Sequence, residues 1–295
     1  MHFYLSKYLY TLFAVLCIIM VLDILLRPKN LKGKIWELYL VGALYTFLAA
    51  FFGYLLFESY ASIIMVTFTA IASIPFIHAA IKMDEQLKRK KEKLSSLWGK
   101  HASVIKMFTV MFFGFVTAFT LLYIFLPSYL VESLFKIQIE TILDTRMIVT
   151  GSFINYLEPF SQILMNNSKV LILCLIFSFF YGVGAIFVLS WNASVMGAAM
   201  GELVAESFHL HSVGSANVIA FIGITGYLVH GVPEIIAYFV AALAGGILSF
   251  AFMKEGFKSL KFKCIALESM QLFFFSFMLL LVAAMLEVFM SPKFF

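Results

Sequence analysis

Continuous apolar runs about 20 residues long constrain this chain more than any motif in it, because a helix needs roughly that length to cross about 30 Å of hydrocarbon. Such runs are expected at 8–26, 36–57, 60–82, 104–126, 169–191, 232–253 and 265–290. Inside a bilayer the backbone must satisfy its own hydrogen bonds, which leaves helices or a closed barrel. A barrel strand alternates apolar and polar residues, whereas these runs are unbroken. The fold class is therefore all-α, a polytopic transmembrane bundle of seven or eight crossings. Composition agrees where it discriminates: charged residues make up 13% of the chain, against about 25% in a soluble domain.

Basic residues orient the bundle. Most of the 21 Lys and Arg fall in three clusters, at 27–34, at 82–106 and at 254–263. Short basic loops stay in the cytoplasm, so these three are expected there. An even number of crossings must separate the second cluster from the third. The runs at 104–126, 169–191 and 232–253 supply three, so the glycine-interrupted stretch 192–231 must supply one more. An interruption at Gly214 and Ser215 predicts a broken or re-entrant element there, which is tolerated only where protein or water covers it.

The same parity places residues 127–168 and the C-terminus outside the cell. The outer segment mixes Lys136, Glu140, Asp144, Arg146 and Glu158 with Phe135, Ile139, Ile142 and Leu143 at helical spacing. That pattern predicts an amphipathic helix on the membrane surface. Asn166-Asn167-Ser168 reads as a glycosylation sequon on Asn166. Three parts result: an N-terminal transmembrane half over 1–126, the outer segment 127–168, and a C-terminal transmembrane half over 169–295. The basic inner loop 83–103 contains Lys88, Arg89, Lys90, Lys91 and Lys93, enough charge to contact anionic lipid headgroups. Topology accounts for this basicity, so the expected partner is the lipid bilayer and not nucleic acid. Cys17, Cys174 and Cys264 form no C-x-x-C pair and indicate neither a disulfide framework nor a zinc site.

The second half gathers glycines and ionisable residues in apolar surroundings. Gly197 and Gly201 have the small-xxx-small spacing that lets helix backbones approach. Glu202, Glu206 and His209 recur at spacings of four and three, on one helical face. These residue types bind divalent metal, but the spacing fits no catalytic motif. A hydrated amphipathic face is the preferred explanation, and no metal or cofactor is expected. In Leu228-Val-His230-Gly231-Val-Pro233-Glu234 the histidine and glutamate are four apart, and Pro233 suits the first turn of a following helix. Ionisable groups at membrane depth are functional candidates by default. Local capping of two helix ends explains the same pair.

Asn192-Ala-Ser-Val-Met-Gly197, then His230-Gly231-Val-Pro-Glu234, then Ala241-Ala-Leu-Ala-Gly-Gly246 resemble the stage II sporulation protein M family of membrane proteins. The resemblance carries over Asn192, Gly197, His230, Gly231 and Glu234 as that family's polar and glycine set. Val229 stands where many members have proline. Leu25-Leu-Arg-Pro28 and Phe57-Glu-Ser-Tyr-Ala-Ser62 look like the archaeal-type branch. In spore-forming bacteria the family's namesake is an engulfment scaffold partnered with cell-wall hydrolases. The resemblance therefore implies a multi-pass scaffold or accessory subunit with a membrane or envelope protein partner, and a homo-oligomer is compatible with it. No catalytic residue is assigned, because neither G-x-S-x-G nor H-E-x-x-H occurs. A permease with its polar site at the broken helices is the alternative, and an intramembrane hydrolase is a third reading.

Overall fold

The computed structural model describes residues 35–90, 97–150, 157–181, 185–210 and 213–290. Among these every regular element is helical. The expected span at 8–26, the cluster 27–34 and the segment 291–295 lie outside the described residues.

Helix α1 (Ile35–Phe57) turns through a short 3-10 segment, Glu58–Tyr60, into α2 (Ala61–Lys90). Then follow α3 (Leu97–Phe125), α4 (Ser128–Thr150), α5 (Leu157–Tyr181), α6 (Ala185–Leu210), α7 (Val213–Glu255) and α8 (Leu260–Met290). Among the described residues, six stretches are long and apolar enough to cross a membrane: Trp36–Pro75, Ile105–Phe125, Leu157–Phe180, Ala185–Phe208, Ser215–Glu255 and Leu260–Phe289. The first joins α1 to the start of α2. Large apolar side chains face outward along these stretches, among them Phe51, Phe180, Phe221 and Phe274. In water such a surface drives association, whereas in lipid it is the solvated face.

Two segments depart from expectation. The run at 169–191 is not one span: α5 ends at Tyr181 and α6 begins at Ala185. Residues 182–184, Gly-Val-Gly in sequence, lie outside the described residues. Pro233 does not open a helix. It lies inside the 43-residue α7, where it withholds an amide from the Val229 carbonyl. At about 1.5 Å per residue α7 is roughly 64 Å long, about twice the hydrocarbon thickness. The interruption expected at Gly214 and Ser215 is not found there: both lie inside α7, which begins at Val213, and residues 211 and 212 lie outside the described residues.

Close contacts fix the helix directions. A Cβ on Gly197 would stand 2.5 Å from Phe119 Cβ, and one on Gly201 would stand 2.6 Å from Tyr123 Cβ. Both offsets along the chain are the same, so α6 runs parallel to α3. Gly223 faces Leu203 and Gly231 faces Met196, so α6 and α7 form an antiparallel hairpin. It follows that the α7–α8 turn and the α2–α3 connection lie at the same end of the bundle, as charge parity requires.

The core joins both halves. Phe239 of α7 meets Phe108 and Phe112 of α3, each at 5.9 Å between ring centroids. Gly42 and Gly114 let α1 and α3 cross at backbone contact, Gly42 against the Met111 carbonyl and Gly114 against that of Tyr39. Helix α4 is amphipathic, but it does more than lie on a surface: Val131, Leu134, Phe135, Gln138 and Ile142 are all buried against protein. Phe135 packs edge-on to Phe119 at 6.2 Å and to Tyr123 at 5.3 Å.

Candidate functional site

The predicted polar set is divided between two neighbouring helices. Asn192 sits half-buried on α6 and its Nδ2 donates to the Val188 carbonyl at 2.8 Å, one turn back. His230 sits on α7, where it hydrogen-bonds the backbone of Gly226 and lies 6.0 Å from the Tyr227 ring. Glu234, one turn further on, accepts a hydrogen bond from Tyr238 Oη at 2.6 Å. Each of the three has a partner on its own helix. What unites them is depth: Met196 against Gly231 and Leu203 against Gly223 set the α6–α7 register, which brings Asn192 level with Glu234.

A second carboxylate, absent from the sequence-derived set, belongs with them. Glu287 of α8 is within electrostatic reach of Glu234 and of Tyr238, and Cys174 of α5 is within reach of Tyr238. Tyr238 is fully buried. The candidate site therefore spans α5, α7 and α8, with Glu234, Tyr238 and Glu287 as its polar groups. A carboxylate in apolar surroundings is held by donors or by sharing a proton, and Tyr238 supplies the donor at Glu234. Glu287 was legible as a carboxylate interrupting the last apolar run.

The remaining predicted residues fall elsewhere. Gly197 serves the α3–α6 contact, and a Cβ on Gly231 would stand 2.5 Å from the flexible end of Met196. Glu202 and Glu206 lie towards the C-terminal end of α6, half-buried and exposed respectively. His209 is in the same helix; its side chain and His211 lie outside the described residues. No three of His, Cys, Asp and Glu gather to hold a metal ion among the described residues. Asn166 is exposed on α5, where its Oδ1 accepts from Lys169 Nζ at 3.4 Å. It therefore stands inside the apolar stretch Leu157–Phe180 and not in a loop. Lys88, Arg89 and Lys90 close α2, while Lys91 and Lys93 lie outside the described residues.

Sequence reasoning also missed a buried relay on the other side of α6. Ile137 N–H donates to Ser62 Oγ at 3.4 Å, and Ser62 Oγ donates to Gln138 Oε1 at 2.6 Å. Gln138 Nε2 donates to Ser194 Oγ at 3.0 Å, and Ser194 Oγ donates to the Trp191 carbonyl at 2.8 Å. Ser62, Gln138 and Ser194 are fully or almost fully buried. The chain of donors and acceptors ties α2, α4 and α6 together and uses both ends of the amide. Ser133 Oγ adds a bond to the Glu58 carbonyl at 3.0 Å.

Long apolar helices with outward phenylalanines, backbone-close glycine crossings and internally satisfied polar groups define a polytopic α-helical membrane protein. Its particular kind is given by the second half: residues 144–292 match the family described as stage II sporulation protein M. That is just over half of the chain, and the chain belongs to this family. It matches no curated protein and no solved structure.

Proposed function

We propose that the chain is a non-enzymatic scaffold or accessory subunit of a membrane or cell-envelope complex, which presents α4 to a partner protein. The observation that carries this reading is the Ser62–Gln138–Ser194 relay. A buried amide satisfied on both sides fixes one helix against two others, and its position at the centre of α4 leaves Glu132, Lys136, Glu140 and Asp144 exposed on the opposite face. A helix docked in this way offers the same charged ridge in every copy. The positive-inside rule supports a cytoplasmic location for the end bearing the α2–α3 connection and the α7–α8 turn, with α4 at the outer end.

The test is a photo-crosslinking amino acid at Lys136, activated in intact cells before solubilisation. A discrete protein adduct that disappears when the crosslinker is moved to lipid-facing Phe274 is expected. Adducts to lipid alone at both positions overturn the reading.

A permease is the second reading, favoured by Glu234 and Glu287 interacting between α7 and α8 in apolar stretches. Discontinuous or kinked helices bearing paired ionisable groups line such sites, and Pro233 lies one residue from Glu234. Flux in liposomes that Glu234→Gln or Glu287→Gln abolishes, with the fold retained, supports this reading against the first.

A further inference from the structure

The turn between α7 and α8 is built firmly at both edges. Gly256 has φ +69°, in the left-handed region that glycine enters without steric cost, and its amide donates to the Phe252 carbonyl at 3.2 Å. That closes α7. Ser259 caps α8, its Oγ accepting from Phe262 N–H at 3.0 Å. Across the turn the rings of Phe252, Phe257 and Phe262 follow one another at 4.3 and 5.2 Å. Phe252 also reaches Phe179 of α5 at 6.1 Å, which anchors the turn to the bundle.

This rigid turn displays an unusual mixture. Residues 254–263 hold Lys254, Lys258, Lys261 and Lys263 against a single acid, Glu255, and all four lysines are exposed. Beside them Met253, Phe257 and Leu260 are 75%, 63% and 78% exposed. The apolar stretches Ser215–Glu255 and Leu260–Phe289 end and begin here, so the turn stands at the boundary between hydrocarbon and water. Aromatic rings and lysines are both stable at that depth, the ring in the acyl boundary and the ammonium group among headgroups.

We propose that the α7–α8 turn is a recognition surface for anionic lipid. Lys258, Lys261 and Lys263 face the headgroup phosphates, while Met253, Phe257 and Leu260 lie in the acyl region beneath them. Complementarity selects this occupant. An anionic lipid is negative at one end and apolar at the other, matching four cations held beside fixed apolar side chains, whereas an acidic soluble protein leaves Phe257 and Leu260 without apolar cover. The surface is separate from the α4 ridge and does not depend on the scaffold reading. It shares its end of the bundle with the start of α3.

A local reporter tests it. Phe257→Trp is introduced into a chain whose Trp36, Trp98 and Trp191 are replaced by phenylalanine, and the protein is reconstituted with brominated phosphatidylglycerol or brominated phosphatidylcholine. Each basic residue at an anionic surface contributes about fivefold, so quenching should favour phosphatidylglycerol by about fivefold or more. The preference should fall to about one in K258Q/K261Q/K263Q, survive in K258R/K261R/K263R, and shrink as salt is raised. Equal quenching by the two lipids overturns the proposal, as does a reporter shielded from both, which places protein over the turn. If the tryptophan-free background does not fold, native mass spectrometry of the parent and of K258Q/K261Q/K263Q decides the matter by the phosphatidylglycerol each retains; equal retention overturns the proposal.

Discussion

Gln138 and Glu234 are both polar side chains in the apolar interior of one bundle, and they are held in opposite ways. Gln138 is neutral and spends both its donor and its acceptor on other helices, Ser62 on α2 and Ser194 on α6. Glu234 takes one bond, from Tyr238 on its own helix, and keeps acceptor capacity within electrostatic reach of another carboxylate, Glu287. The first arrangement is closed and does one thing, which is to fix α4. The second retains chemistry that helix packing does not require. In apolar surroundings a group with unspent capacity is a candidate for handling a proton, ion or partner, whereas a fully spent group sets shape.

The sharpest way to break this contrast is Gln138→Leu. It removes two inter-helix bonds and leaves Ser62 with only the Ile137 amide and Ser194 with only the Trp191 carbonyl, so a loss of about 2–4 kcal/mol is expected. Thermal unfolding in lipid nanodiscs should show it, together with faster hydrogen exchange across residues 128–144. Tyr238→Phe comes next. It strips Glu234 of its donor and should cost about 1–2 kcal/mol, with no change in exchange along α4. Glu234→Gln tests the other half of the comparison: the amide oxygen still accepts from Tyr238, so stability should stay within about 0.5 kcal/mol of the parent. A destabilisation matching that of Gln138→Leu shows instead that Glu234 too is a packing group. The smallest effect is expected from Asn192→Leu, since its amide only doubles a bond onto a helix carbonyl; a shift below about 0.5 kcal/mol in the same unfolding assay is the expected outcome.

Much of the architecture was legible because hydropathy and charge act over whole helices. The α1–α2 hairpin, the amphipathic α4 and the shared end of the bundle for the start of α3 and the α7–α8 turn all follow from runs of residues. What escaped was local. The sequence Gly182-Val-Gly184 is as apolar as its flanks, so a hydropathy window runs from α5 into α6 without registering two helices. Pro233 reads as a helix start in water, but inside a bundle its neighbours tolerate the missing amide. Gln138 was readable in principle, since it occupies the position between Phe135 and Ile142 on an otherwise apolar stripe. Its partners Ser62 and Ser194, however, are brought to it by tertiary packing alone. The family's polar residues were found, but their grouping was not: Glu234 lies within electrostatic reach of Glu287 on α8, a residue that no short motif connects to it.

The glycine contact between α3 and α6 has a consequence for how the protein is made. Gly197 and Gly201 lie in the part of the chain that matches the family, while the Phe119 and Tyr123 against which they rest lie before it. Synthesis proceeds from the N-terminus, so α3 is already in the membrane when α6 leaves the ribosome, and α6 is received by a surface that was finished earlier. The first half thus supplies the surface on which α6 docks. A split gene expressing residues 1–126 and 127–295 separately should yield a C-terminal fragment that is degraded alone and rescued by its companion.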